Sequence, residues 1–384
     1  MNPVADIKNN DQNGSDPILL MAVLLLLIVG TVMIFSSSSI VAQEKFGDGY
    51  YFLKKQLSFL LFGFVVMIFL SKMSYRYLRY VAYGGIILSV VLLVLLMVPG
   101  LGITVKGATR WLRVCGFSFQ VSEVVKITLV IFMAHYLDKK REHRKEFTRF
   151  FPVPLIVTGI ILILVLRQPD FGTAVIMAAA VVTMFYLAGS RIIYLAGFFA
   201  ALIPIGVILV LHESYRLKRV MTFLNPWDDP QGAGFHIIQS FISFGSGGIF
   251  GVGLGNSMQK LFYLPEPHTD FILSVIGEEA GFLGVFAVVL LFTVFIIRGF
   301  MISFHCRDLF GSLLAAGLTT IVALEAFINM AGVMGLIPTK GLVLPFLSYG
   351  GTSLIISMAL VGILLNISSQ GGEEKPKVTV QVLT

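Results

Sequence analysis

Charge is scarce in this chain: only 13% of its 384 residues are Asp, Glu, Lys or Arg, against 57% hydrophobic. That balance excludes an ordinary soluble domain and points to a polytopic membrane protein. Cysteine is nearly absent, with two in all. Cys115 and Cys306 are expected on opposite sides of the membrane, which excludes a disulfide between them, and no cysteine cluster has metal-binding spacing. A signal-peptide cleavage site is also lacking. The first apolar run, Pro17 to Phe35, is too long for a signal segment and is expected to be a first transmembrane helix. The surplus of basic residues, net +7, is ascribed to basic loops at the membrane surface, with no nucleic-acid partner implied.

Long apolar runs are what the chain has in abundance. Each run of about 17–25 residues is long enough to cross the hydrocarbon core as a helix. About ten are expected, near 17–38, 55–71, 79–98, 121–138, 150–168, 171–188, 191–211, 271–298, 308–331 and 346–367. The fifth and sixth are split at Gln168-Pro169-Asp170, because proline disfavours helix in the residue before it. The fold class is therefore an all-α integral membrane protein. Residues 17–367 form its transmembrane domain, 1–16 and 368–384 form polar tails, and a large loop at 212–270 separates helices seven and eight. The N-terminal tail is expected to be disordered.

Orientation follows from loop lysines and arginines. The segment DKKREHRKEFTR carries Lys139, Lys140, Arg141, Arg144, Lys145 and Arg149, and is expected in the cytoplasm. The loops with Lys72, Arg76 and Arg79, and with Arg298 and Arg307, share its parity. Both termini then lie inside and the 212–270 loop outside. The same parity puts Arg110, Asp170, Asp270, Lys340 and Ser348 outside, with Glu123 and Lys126 near the outer end of the fourth helix, on one face by their i, i+3 spacing. Ionisable groups at or in a membrane are costly and tend to mark function. Their gathering at one face suggests work on an amphiphile at the outer leaflet.

Asp270 stands where the polar loop meets the eighth helix. It suits a base that takes the proton from an attacking hydroxyl, and equally a helix N-cap. Glu266, His268 and Asp270 alternate, so on an extended segment they share a face and are able to hold a divalent cation. Solvated loop residues are the favoured alternative. Arg110 offers a planar fork for diphosphate oxygens, with Lys340, Arg216 and Arg219 as further candidates. Each has an ion pair as its alternative, with Asp170, Glu213 or lipid phosphate. Gly245 to Gly255 lacks the Gly-Lys-Ser/Thr of a phosphate-binding P-loop. It is expected to be a tightly packed outer loop or one that moves.

PTKGLVLPFLSYGGTS at 338–353 resembles the C-terminal signature of the SEDS family (shape, elongation, division and sporulation), and its FtsW branch in particular. GATRWL at 107–112, SFQVSE at 118–123, QPDFGT at 168–173, FLNPWDDPQGAGF at 223–235, GVGLGNS at 251–257, LPEPHTDF at 264–271 and IGEE at 276–279 are similar to family motifs and stand in family order. Val121, and Phe235 with His236, depart from the common pattern. The resemblance implies a peptidoglycan glycosyltransferase. It would polymerise lipid II, an undecaprenyl-diphosphate-linked disaccharide, outside the cytoplasmic membrane at the division septum. A class B penicillin-binding protein would be the transpeptidase partner, among other division membrane proteins and the membrane lipids. The family's proposed catalytic aspartate matches Asp270. Arg110, Asp170, Glu123, Lys340, Ser348 and Arg216 are carried as substrate-binding residues. No protein metal ligands are assigned, although Mg or Mn assistance with the diphosphate is chemically reasonable. A lipid II flippase and a non-catalytic scaffold for the transpeptidase are the rival expectations.

Overall fold

Asp16 starts the first helix. Its side chain accepts hydrogen bonds from the N–H groups of Ile18 and Leu19, both at 3.0 Å, and Pro17 takes the first helical position, where a missing N–H costs nothing. The computed structural model describes residues 14–105, 108–114, 117–212, 214–232, 234–258, 267–339 and 341–370. Lys340, Glu266, Glu213, Cys115 and most of the two expected tails lie outside the described residues.

The helices are α1 (Pro17–Phe46), α2 (Tyr51–Lys72) and α3 (Leu78–Leu95); then α4 (Val121–Lys139), α5 (Phe147–Phe150), α6 (Pro152–Arg167), α7 (Phe171–Leu187) and α8 (Ile192–His212). They continue with α9 (Ser214–Leu224), α10 (Phe235–Gly247), α11 (Ile272–Glu279), α12 (Gly281–His305), α13 (Leu309–Val333) and α14 (Gly351–Gln370). Six of them, α1 to α3 (α3 with the short 3-10 turn before it) and α12 to α14, are long and apolar enough to cross a membrane. The apolar α6 and α7 are shorter, and α4 and α8 complete the expected series. This is a multi-pass, all-α membrane protein.

Four features depart from the expected spans. The eighth run breaks between α11 and α12 at Gly281, whose φ of +65° is open to glycine. A side chain there would also meet the Gly251 N–H at 2.4 Å. The last helix starts at Gly351, later than expected, because 341–350 is a non-helical turn with Phe346 at φ +65°. Between α3 and α4, strands β1 (Gly102–Val105), β2 (Ala108–Val114) and β3 (Phe117–Gln120) form an antiparallel sheet in the order β1-β2-β3. The loop at 212–270 holds two helices of its own, α9 and α10.

Of the six long apolar helices, α13 is the most enclosed, with 78% of an 18-residue apolar stretch buried, whereas α2 has 17% and lies at the periphery. Small residues bring α2 and α14 together. A Cβ on Gly362 would stand 2.5 Å from the Met67 carbonyl, and one on Gly63 would meet Met358. At one end of the bundle, the basic end, Arg298 pairs with Asp16 at 2.6 Å, and Arg79 with Asp308 at 2.7 Å and Asp138 at 3.1 Å. The opposite end, the loop end, carries the sheet, the α6–α7 turn, α9 to α11 and the 341–350 turn.

Candidate active site at the loop end

Asp270 precedes α11, in a turn held from two sides. Asn329 on α13 donates its amide Nδ2 to the Asp270 carbonyl at 3.0 Å and to the Leu342 carbonyl. Gly341, at φ +61°, lies so close that an added Cβ would stand 3.3 Å from Asp270 Oδ2. The cap position of α11 falls one residue later, on Phe271.

The 341–350 turn is fastened to the same segment. Ser348 Oγ donates to the Thr269 carbonyl at 2.7 Å and accepts from the Leu344 N–H at 2.8 Å. The Tyr349 N–H donates to the His268 carbonyl at 2.8 Å. Ser348 is buried, and these bonds make it a support for residues 268–270. The His268 ring is buried between Phe52, at 4.5 Å, and Tyr349, at 5.7 Å. Among the described residues no group of three His, Cys, Asp or Glu side chains is placed to hold a metal ion.

A second cluster forms at the head of α7. Asp170 is its N-cap and accepts from the Thr173 N–H at 3.3 Å. Arg110, on β2, donates from Nε to the Gln168 carbonyl at 3.2 Å and from Nη2 to the Pro169 carbonyl at 2.5 Å. Its Nε also lies 3.9 Å from Asp170 Oδ2. Arg216 on α9 is buried, with its guanidinium carbon 5.5 Å from the Phe171 ring centre. Gly172 joins the two clusters: an added Cβ would stand 3.3 Å from the Leu342 side chain. Asp270, Ser348, Arg110, Asp170 and Arg216, distant in sequence, are thus linked through the α7 head and the 341–350 turn.

Glu123 and Lys126 do pair along α4, at 2.9 Å, but the ammonium is also in contact with Glu325 of α13, and all three side chains are buried. Asn329 follows Glu325 by four residues and so shares its helix face. Sequence reasoning singles out neither residue, although an isolated carboxylate inside an apolar run is a signal in itself. Glu278, inside the IGEE segment, is not singled out either. Its buried carboxylate accepts from the Met258 N–H at 2.9 Å and from Ser257 Oγ at 2.5 Å. A Cβ on Gly247 would overlap the Gly277 carbonyl, and one on Gly251 would overlap that of Glu279. The glycine-rich segment is therefore packed tightly on α11, the first of its two expected forms.

Residues 17–372 match the family described as cell cycle protein, FtsW/RodA/SpoVE. The chain is 49% identical over 329 residues to the probable peptidoglycan glycosyltransferase FtsW of Trichlorobacter lovleyi, covering 86% of each chain. It is 42% identical to the stage V sporulation protein E of Bacillus subtilis, over 85% of this chain and 89% of that one. Among solved structures it resembles a chain from a study of a peptidoglycan synthase complex that coordinates polymerisation and crosslinking. The TM-score is 0.78 and the identity 28%, covering 94% of this chain and 99% of that one. It also resembles the rod shape determining protein RodA of Thermus thermophilus, with a TM-score of 0.68 and 26% identity over 92% and 96% of the two chains. With its motifs in order along a matching bundle, this chain belongs to the FtsW/RodA/SpoVE family.

Proposed function

We propose that the protein is a peptidoglycan glycosyltransferase that polymerises lipid II during septal wall synthesis. The observation that carries this reading is the placement of Asp270. Its main chain is clamped by Asn329, and its carboxylate lies beside Gly341, in a turn that also reaches the α7 head with Arg110 and Arg216. In the reaction, an acceptor sugar hydroxyl attacks the anomeric carbon of a lipid-linked donor. The new C–O bond forms as the bond to the diphosphate breaks. Asp270 takes the hydroxyl proton, and undecaprenyl diphosphate leaves with the electron pair. The diphosphate is already a good leaving group, so no second protein acid is required, unlike in two-carboxylate hydrolases.

Cationic side chains steady the departing diphosphate. Arg216, Lys340 and the remaining Arg110 N–H groups are assigned this task. Arg110 already gives two donors to the α6–α7 turn, so it also shapes the site. Asp170 lies beside Arg110, Ser348 holds residues 268–270, and Glu123 acts through its pair with Lys126. Mg or Mn, where used, would assist at the diphosphate oxygens. The basic loops support an orientation with the loop end outside, where lipid II and a class B penicillin-binding protein meet it. The resemblance to a chain from a synthase complex supports such a transpeptidase partner.

The test is lipid II polymerisation by the purified protein with its cognate partner, the partner's transpeptidase serine disabled. Wild type and Asp270→Asn are compared after both are seen to fold and bind the partner. Polymer from wild type alone is expected. Equal polymer from both removes Asp270 as the base. No polymer from either, in an assay proven with another polymerase, overturns the transferase reading and favours transport or scaffolding.

A further inference from the structure

At the basic end, far from Asp270, the start of α8 stands apart from α6 and α7. The gap is a cavity of about 330 Å³ walled by Phe147, Phe151, Leu155, Phe185, Tyr194 and Phe198. Its aromatic walls are ordered: Phe151 stacks on Phe185 at 4.7 Å, and Tyr194 lies 5.3 Å from both Phe147 and Phe151. No carboxylate and no basic side chain lines it. The cavity accepts hydrocarbon and rejects water.

Its rim has the opposite character. Arg144 lies over the α7–α8 turn, where a Cβ added to Gly189 would stand 3.4 Å from Arg144 Nη1. Arg191 immediately precedes α8, and Tyr194, three residues on, is part of the wall. Both arginines are exposed, and neither has a carboxylate partner among the described residues. Of the two carboxylates that flank Arg144 two residues away, Glu142 forms no ion pair with it among the described residues, and Glu146 is taken by His143 at 3.2 Å and Arg149 at 3.5 Å. From Lys139 to Arg149 there are six lysines and arginines but only two carboxylates, Glu142 and Glu146.

We infer that this cavity binds an anionic phospholipid, with one acyl chain between α6, α7 and α8 and the headgroup phosphate between Arg144 and Arg191. The aromatic walls supply the hydrocarbon site, and two planar guanidinium groups supply the phosphate site. A zwitterionic headgroup would bring its own cation to a rim already rich in them. An occupied cavity fills the space beside α8 and so seats the helix that leads directly into α9 and Arg216.

The test uses Tyr194→Trp as a reporter in nanodiscs holding brominated phosphatidylglycerol or brominated phosphatidylcholine at equal mole fraction. Quenching of the parent protein, from Trp111 and Trp227, is subtracted. Stronger quenching by the anionic lipid is expected, reflecting an affinity about fivefold higher for each guanidinium engaged, and the preference is expected to vanish in Arg144→Gln/Arg191→Gln. Native mass spectrometry of the parent protein, without the reporter, should show retained phosphatidylglycerol and its loss in the same double variant. Equal quenching by both lipids means bulk lipid only and overturns the inference. Quenching by neither means that protein fills the cavity, and overturns it as well. A preference that survives the double variant removes the two arginines as the headgroup site.

Discussion

Asn329 on α13 donates to the main-chain carbonyl of Asp270 at 3.0 Å, and the same amide nitrogen reaches the Leu342 carbonyl. One side chain therefore closes the turn that carries the proposed base onto the turn that carries Gly341 and Ser348. Asn329→Ala removes both bonds without touching the carboxylate. Misplacing a reacting group by about 1 Å costs on the order of 10²-fold in rate. The expected result is a fall of that size in polymerisation kcat, with KM for lipid II and binding of the partner retained. An unchanged kcat would show that the clamp does not set the position of Asp270.

Much of this architecture could be read from the sequence, because a helix that must cross a bilayer announces itself by length alone. The break at Gly281 is less legible: Glu278 and Glu279 interrupt the apolar run just before it, but residue type alone does not fix the left-handed φ that separates α11 from α12. The sheet at 102–120 was hidden for another reason: strands of four to seven residues leave little pattern between long apolar runs. At the site, each polar residue stood out where charge is scarce, so Asp270, Arg110 and Asp170 were legible as individuals. The Arg110–Asp170 pairing was legible too, as the ion-pair alternative, and is seen at 3.9 Å; the remaining partners were not. The Lys126–Glu325 contact joins residues 199 apart in the chain, and the bonds of Arg110 to main-chain carbonyls leave no trace in residue type.

The buried group of Glu123, Lys126 and Glu325 sets up a stability prediction. Lys126→Met leaves two carboxylates facing each other without their shared cation. Breaking a buried ion pair in this way costs about 3–5 kcal/mol. A clear fall in the thermal unfolding midpoint in detergent is expected. Glu123→Gln/Lys126→Met/Glu325→Gln, which removes all three charges at once, should recover most of it. If the triple variant is no more stable than Lys126→Met, unpaired charge is not what destabilises the single variant.

Arg110 is expected to depend on shape more than on charge. Its Nε and Nη2 reach two successive carbonyls, of Gln168 and Pro169, which a lysine ammonium cannot span in the same planar geometry. Arg110→Lys should therefore lose about tenfold or more in polymerisation, since a single misplaced donor array at a charge-stabilising site costs that much or more. It should also show faster amide exchange at the head of α7. Full activity in Arg110→Lys would mean that a point charge suffices there.

Tyr349 provides the pH dependence. Burial, with a smaller contribution from the nearby Tyr51, pushes its phenol up to about 12, against about 10 in an unfolded chain. The folded state thus holds this proton more tightly than the unfolded state does. The resulting stability is fully present below about pH 10 and is lost as pH rises toward 12. Tyr349→Phe has no such proton to lose. Melting midpoints of the two proteins should differ by a constant amount up to about pH 9 and then converge, or cross, as the wild type weakens at higher pH. Because the Tyr349 N–H bonds the His268 carbonyl, the same alkaline range should loosen the 268–270 segment in wild type first, seen as faster amide exchange there. Parallel melting curves through pH 11 would mean that the half-buried phenol is not coupled to folding.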